Sequence, residues 1–131
     1  MESMGPTKNV LRCLVADDEA QIAFLVREAL AQQGYVADTV SDGEAALKKF
    51  GQGGYSLIVS DVMMPHKTGV ELIQEIRARG DATPAVLMSS YLSDEILKSC
   101  GGLKNLAFLQ KPFSLTDLRH AIERAISPVR C

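Results

Sequence analysis

The sequence predicts an α/β domain, a single open, doubly wound sheet of five parallel strands with helices on both faces. Two observations carry that prediction. Short apolar runs alternate with longer segments of helical periodicity, the pattern of βα units around a parallel sheet, and five such units fit within 131 residues. Right-handed crossovers between parallel strands then place helices on both sides of the sheet. The length is one domain's worth, enough to bury one core without disulfides or a structural metal.

The elements follow in order. Strands are expected at Leu11 to Ala16, Val36 to Val40, Leu57 to Ser60, Ala85 to Ser89 and Leu106 to Leu109. Most are runs apolar on both faces, as buried parallel strands are; Val36 to Val40 is the least apolar and is placed at an edge. Ile22, Leu25, Val26, Ala29 and Leu30 mark one face of the first helix, which Gly34 stops. Ser41 or Asp42 caps a helix over Glu44 to Phe50, and Gly69 opens one that runs to Arg79. Ser93 caps Asp94 to Cys100, and Ser114 caps Leu115 to Ile126.

Composition narrows the function classes. With 47% hydrophobic and 23% charged residues and a net charge of −2, the chain reads as an ordinary globular protein, with no basic surface to attract nucleic acid. Cys13, Cys100 and Cys131 share no metal-ligand spacing, and their odd number argues against a secreted disulfide framework, which favours a reducing cytoplasm. The opening MESMGPTKN lacks the apolar centre of a signal peptide. No apolar run approaches the ~20 residues that span a bilayer. The domain is therefore expected over residues 10–127, with a disordered tail at 1–9 and a short C-terminal tail at 128–131.

In an open parallel sheet the ligand site lies beyond the C-terminal ends of the strands. At those ends stand Asp17-Asp18-Glu19, Asp61, Ser89-Ser90 and Gln110-Lys111-Pro112. Each has an ordinary structural use. Asp17 and Asp18 suit a helix N-cap, Ser89 a backbone-bonded hydroxyl, Lys111 a solvated loop, and Asp61 an Asx-turn ahead of Pro65. Coincidence explains poorly why four strand ends on one side of the sheet carry clustered acids, a hydroxyl and an amine. His66 reads as a solvated loop residue and His120 as a surface one.

Four motifs in order, LVADDEA, DVMMPHKTG, TPAVLMSSY and FLQKPF, give the chain its resemblance to a response-regulator receiver domain of two-component phosphorelay signalling, from Leu11 to Ile126. The resemblance implies a flavodoxin-like strand order, 2-1-3-4-5. It also implies that Asp61 is the phosphoacceptor, taking a phosphoryl group from a phosphohistidine on a sensor histidine kinase or a histidine phosphotransfer protein. Lys111 would offset the phosphoryl charge and Ser89 would donate its hydroxyl to a phosphoryl oxygen. Clustered carboxylates call for a cation, and the implied one is Mg2+, held by Asp18, Asp61 and the Met63 main-chain carbonyl, with Asp17 acting through a water. A cis peptide at Lys111-Pro112 belongs to the same pattern.

Phe108 stands at the position of the family's switch aromatic, often tyrosine. Switching would present the helix 4, strand 5, helix 5 face to a downstream protein or to an effector domain that this chain lacks. Leu106 and Ala107 occupy positions that are acidic in relatives pairing through that face, so a monomer is expected. Direct nucleic-acid or membrane contact is not. Such a protein is a signalling phosphoacceptor, not a classical enzyme. An aspartyl phosphatase would show a D-x-D motif, which is missing. A flavin protein would need a phosphate-cradling loop after strand one, where acids stand instead. A pseudo-receiver would have lost a site residue, and none is lost.

Overall fold

The structure, a computed structural model, describes residues 10–127. The tails expected at 1–9 and 128–131, and Cys131 with them, lie outside the described residues. Five strands and five helices alternate: β1 (Leu11–Ala16), α1 (Ala20–Ala31), β2 (Tyr35–Val40), α2 (Gly43–Phe50), β3 (Leu57–Asp61), α3 (Gly69–Ala78), β4 (Ala85–Ser89), α4 (Asp94–Ser99), β5 (Leu106–Gln110) and α5 (Leu115–Ile126). All strand pairs are parallel, in the order β2-β1-β3-β4-β5. The sequence expectation of a doubly wound sheet with its least apolar strand at an edge holds.

Alternation along each strand divides the core into two layers. Cys13, Val15, Leu57, Val59, Val86, Met88, Ala107 and Leu109 face one side, against Val26 and Leu30 of α1 and Leu118 and Ile122 of α5. Leu14, Ala16, Ile58, Ala85 and Leu87 face the other, against Ala46 and Phe50 of α2 and Leu72, Ile73 and Ile76 of α3. Because β1, β3 and β4 are covered on both faces, they must be apolar at nearly every position. Fully burying a Leu or Ile side chain stabilises by roughly 1.5–3 kcal/mol. The first helix departs from expectation at Leu25, which is 60% exposed. Its apolar stripe is wider than the strip of sheet it covers.

Side-chain caps set most helix starts. Asp42, not Ser41, caps α2, its Oδ1 accepting from the Ala45 N–H at 2.7 Å. Thr68 caps α3 in a reciprocal box with Glu71, and Ser114 caps α5 in another with Asp117. Ser93 caps the short α4. The exception is α1, whose N-cap residue Glu19 makes no side-chain capping bond. Strand β3 runs one residue further than expected. Asp61 is opposite Met88 in the ladder, and the Val62 N–H donates to the Met88 carbonyl at 2.8 Å. Gly34, at φ +92°, follows the α1 C-cap residue Gln32 by two positions. Among the described residues, no helix is long and apolar enough to cross a membrane.

Candidate functional site

The C-terminal ends of β1, β3, β4 and β5 converge on one acidic depression, and each reaches it for a local reason. Asp17 follows β1 and is 2% exposed. Its N–H donates to the Val40 carbonyl at 3.1 Å, and its Oδ1 accepts from the Glu19 N–H at 2.9 Å. Both bonds fix the carboxylate facing inward. Asp61, at the end of β3, is 7% exposed and held by the ladder to β4. Lys111 sits just after β5, where its N–H donates to the Ser89 carbonyl at 2.8 Å. The Lys111-Pro112 peptide is cis.

The Lys111 amine joins these pieces. Its Nζ lies 3.1 Å from Asp17 Oδ2, 3.4 Å from Asp61 Oδ1 and 3.4 Å from Glu19 Oε1. One ammonium thus faces three carboxylates. Burial, then the charge of Asp17, pushes the Asp61 carboxyl above its usual range, and Lys111 only partly opposes this. Burial alone would lower the Lys111 pKa, but its bond to Asp17 and the charges of Asp17 and Asp61 outweigh that and raise it. The amine therefore stays charged and the acids remain under-compensated. Carboxylate oxygens of Asp17, Glu19 and Asp61 lie within 4.8 Å of one another. An all-oxygen donor set with excess negative charge fits a hard divalent cation such as Mg2+.

The expected site residues fall into two groups. Asp17, Asp61 and Lys111 are in direct contact or nearly so. Asp18, Met63 and Ser89 line the same cavity of about 510 Å3 with Asp61 and Lys111, but Asp18 is exposed and stands outside the close triad. Met63 is 66% exposed and Ser89 is buried. The Ser89 hydroxyl is engaged by the Tyr91 backbone: Oγ donates to the Tyr91 carbonyl at 2.9 Å and accepts from the Tyr91 N–H at 3.0 Å. Phe108 is half-buried against the α2–α3 core layer, its carbonyl accepting from Arg124 Nη2 at 3.2 Å.

Glu19 is the residue that sequence reasoning left without a role, although it is the third acid of the D-D-E string. The missing signal was spatial, because nothing in the string distinguishes a glutamate that caps α1 from one that reaches across to β5. His66 is exposed at φ +70° and His120 is exposed on α5; neither enters the site. Cys13 and Cys100 are buried, and burial raises both thiols above their ordinary range, so neither is poised as a nucleophile.

Comparison with known proteins gives a consistent picture. The family model for the response regulator receiver domain matches residues 13–123. The transcriptional regulatory protein RprY of Bacteroides fragilis is 39% identical over 123 residues, which are 92% of this chain and 51% of that protein. The transcriptional regulatory protein PdtaR of Mycobacterium tuberculosis is 32% identical over 132 residues, 96% of this chain and 64% of that one. The chain thus spans between half and two-thirds of these curated relatives. Among solved structures, the chemotaxis protein CheY4 of Vibrio cholerae superposes with a TM-score of 0.80 at 29% identity, covering 88% of this chain and 98% of that one. TrrA of Thermotoga maritima, solved in complex with Mg2+-BeF, gives 0.75 at 33% identity over 88% and 98%.

Proposed function

The chain belongs to the response-regulator receiver domain family, and on that premise we propose that it is a phosphoacceptor in two-component signalling, with Asp61 as the residue modified. The observation that carries this reading is the placement of Asp61: an acid at the end of a strand buried on both faces, sharing one lysine with a second buried acid. A carboxylate so held is rigid enough for in-line attack and open on its cavity side to a donor.

In the proposed reaction a carboxylate oxygen of Asp61 attacks the phosphorus of a phosphohistidine on a sensor kinase or phosphotransfer protein. The new O–P bond forms as the P–N bond breaks, and the imidazole nitrogen keeps the electron pair. Asp18, Asp61 and the Met63 main-chain carbonyl would hold Mg2+, with Asp17 acting through a water. When bound, the ion supplies positive charge against the carboxylates and the phosphoryl oxygens. Lys111 turns from Asp17 toward the phosphoryl group. Ser89 releases Tyr91 and donates its hydroxyl to a phosphoryl oxygen. The space it leaves shifts Phe108 inward, a change of population on the α4-β5-α5 face that a downstream protein or effector domain reads. Hydrolysis of the aspartyl phosphate ends the signal. This reading places the domain in the cytoplasm, where it acts as a monomer.

Acetyl phosphate with Mg2+ should add one phosphoryl group to the intact protein, labile to base, and peptide mapping should place it on Asp61. A chelator should prevent it. A protein that gains no mass under these conditions, or gains it elsewhere, is not the phosphoacceptor described.

Magnesium titrations should rank the acids. Asp17→Ala is expected to weaken binding about tenfold, the scale for an outer partner acting through a bound water, and Asp18→Ala to remove it below calorimetric detection. Equal losses would undo the division between direct and water-mediated roles.

A further inference from the structure

We propose that Glu19 is a positioning residue for Lys111, a carboxylate tether that holds the ammonium on the α1 side of the site and so slows phosphoryl uptake. The proposal rests on the reading of Asp61 as phosphoacceptor. Three observations support it. Glu19 is the N-cap residue of α1, yet its side chain forms no capping bond, unlike Asp42, Thr68, Ser93 and Ser114 at the other four helix starts. An acidic side chain beside a helix N-terminus is ordinarily drawn to its orphan N–H groups. Here Oε1 lies 3.4 Å from Lys111 Nζ instead, bridging from β1 to β5 across 92 positions of sequence.

The second observation is the backbone that sets this up. Asp17 Oδ1 accepts from the Glu19 N–H, which folds the chain so that Glu19 leaves the strand beside the carboxylate it competes with. The third is its place at the rim. The Glu19 side chain is 64% exposed while those of Asp17 and Asp61 are 0% and 10% exposed. It lines both the acidic cavity and a neighbouring apolar cavity of about 600 Å3 formed with Ile22, Leu25, Phe113 and Leu115. Among the three acids facing Lys111, it is the one a phosphoryl donor passes first.

The consequence is kinetic. Before transfer, Lys111 is shared among three carboxylates. During transfer it must follow the charge that develops on the phosphoryl oxygens. Removing Glu19 removes a competitor for the amine, so Lys111 is freer to follow the phosphoryl oxygens.

The test uses acetyl phosphate at saturating magnesium, so that any loss of cation affinity is masked, and follows phosphoryl uptake by intact mass. Glu19→Gln should accelerate uptake about two- to fivefold, the span that one solvent-exposed ion pair commands. In a Lys111→Met background the same change should have no effect, because the tether acts through the amine. Glu19→Asp is too short to reach Lys111 and suited to cap α1. It should match Glu19→Gln in rate and also raise the unfolding midpoint, which no purely structural role for the longer side chain produces. An unchanged rate in Glu19→Gln overturns the proposal and leaves the phosphoacceptor reading standing. So does equal acceleration with and without Lys111, which would reduce Glu19 to a diffuse field effect. A wild-type protein that takes up no phosphoryl group overturns both.

Discussion

Asp61→Asn should abolish phosphoryl uptake from acetyl phosphate and, at neutral pH, leave a protein more stable than the wild type. The first effect follows from the loss of the attacking oxygen, because an amide is not a nucleophile under these conditions. The second follows from electrostatics. Burial and the charge of Asp17 raise the Asp61 pKa, while Lys111 lowers it by less, so the folded state prefers Asp61 neutral. A carboxyl whose folded pKa is raised favours folding below its unfolded value, and that contribution is lost as pH rises through the folded value. At pH 7 the ionised group therefore costs stability, which the neutral amide restores. The change does not strand Lys111, which keeps Asp17 at 3.1 Å.

The expected gain is on the order of 1 kcal/mol, a rise of about 4 °C in Tm. It should shrink as pH falls through the raised folded pKa and be gone below the ordinary carboxylate value of about 4, where the carboxyl of the unfolded chain is protonated as well. Magnesium should narrow it by binding the wild type alone. Thermal unfolding at several pH values, with and without magnesium, reads all three. A variant that unfolds at or below the wild-type midpoint at pH 7 would mean that Lys111 already compensates Asp61 fully, and the charge excess argued for this site would be wrong.

The strands and the polar residues Asp17, Asp61 and Lys111 that meet at their ends were legible because burial on both faces forces apolar runs, and a polar residue ending such a run is conspicuous. The edge position of β2 was legible for the converse reason: Asp38 and Thr39 interrupt its apolar pattern, as a half-covered strand permits. Local competition was not legible. Ser41 and Asp42 are both good caps, and only the backbone geometry decides for Asp42. Leu25 has the right period for the core, yet α1 covers too narrow a strip to bury it. Ser89 is where the resemblance put it, but its hydroxyl is committed to the Tyr91 backbone, a turn of one side chain that no residue type announces. Glu19 was overlooked for a related reason. Its departure from capping is visible only once Lys111, far away in sequence, is brought within 3.4 Å.

A large stability effect is expected at Gly69, the first residue of α3, where no unusual dihedral is involved. A Cβ built there would lie 2.3 Å from the Asp61 carbonyl oxygen and 3.0 Å from both Ser60 Oγ and Leu87 Cδ2. The Gly69 N–H donates to the Val62 carbonyl at 2.8 Å, so α3 cannot back away without breaking that bond. The obstructing atom is backbone in a ladder strand, which cannot rotate aside as a side chain could. Gly69→Ala should therefore cost about 3 kcal/mol, the upper end of overpacking penalties in a well-filled interior, and lower Tm by about 10 °C. Because the displaced carbonyl belongs to Asp61 itself, the fraction that remains folded should also take up phosphoryl more slowly, since small misplacements of a reacting group are costly. Gly34→Ala is the control. Its added Cβ meets nothing within 4 Å, and only the φ of +92° opposes it, a cost of roughly 1–2 kcal/mol. It should lower Tm by less and leave the phosphorylation rate unchanged. Chemical denaturation and uptake measured below both midpoints separate the two effects. A Gly69→Ala protein as stable as Gly34→Ala, or one that is phosphorylated at the wild-type rate, would show that α3 is not seated against the phosphoacceptor strand as described.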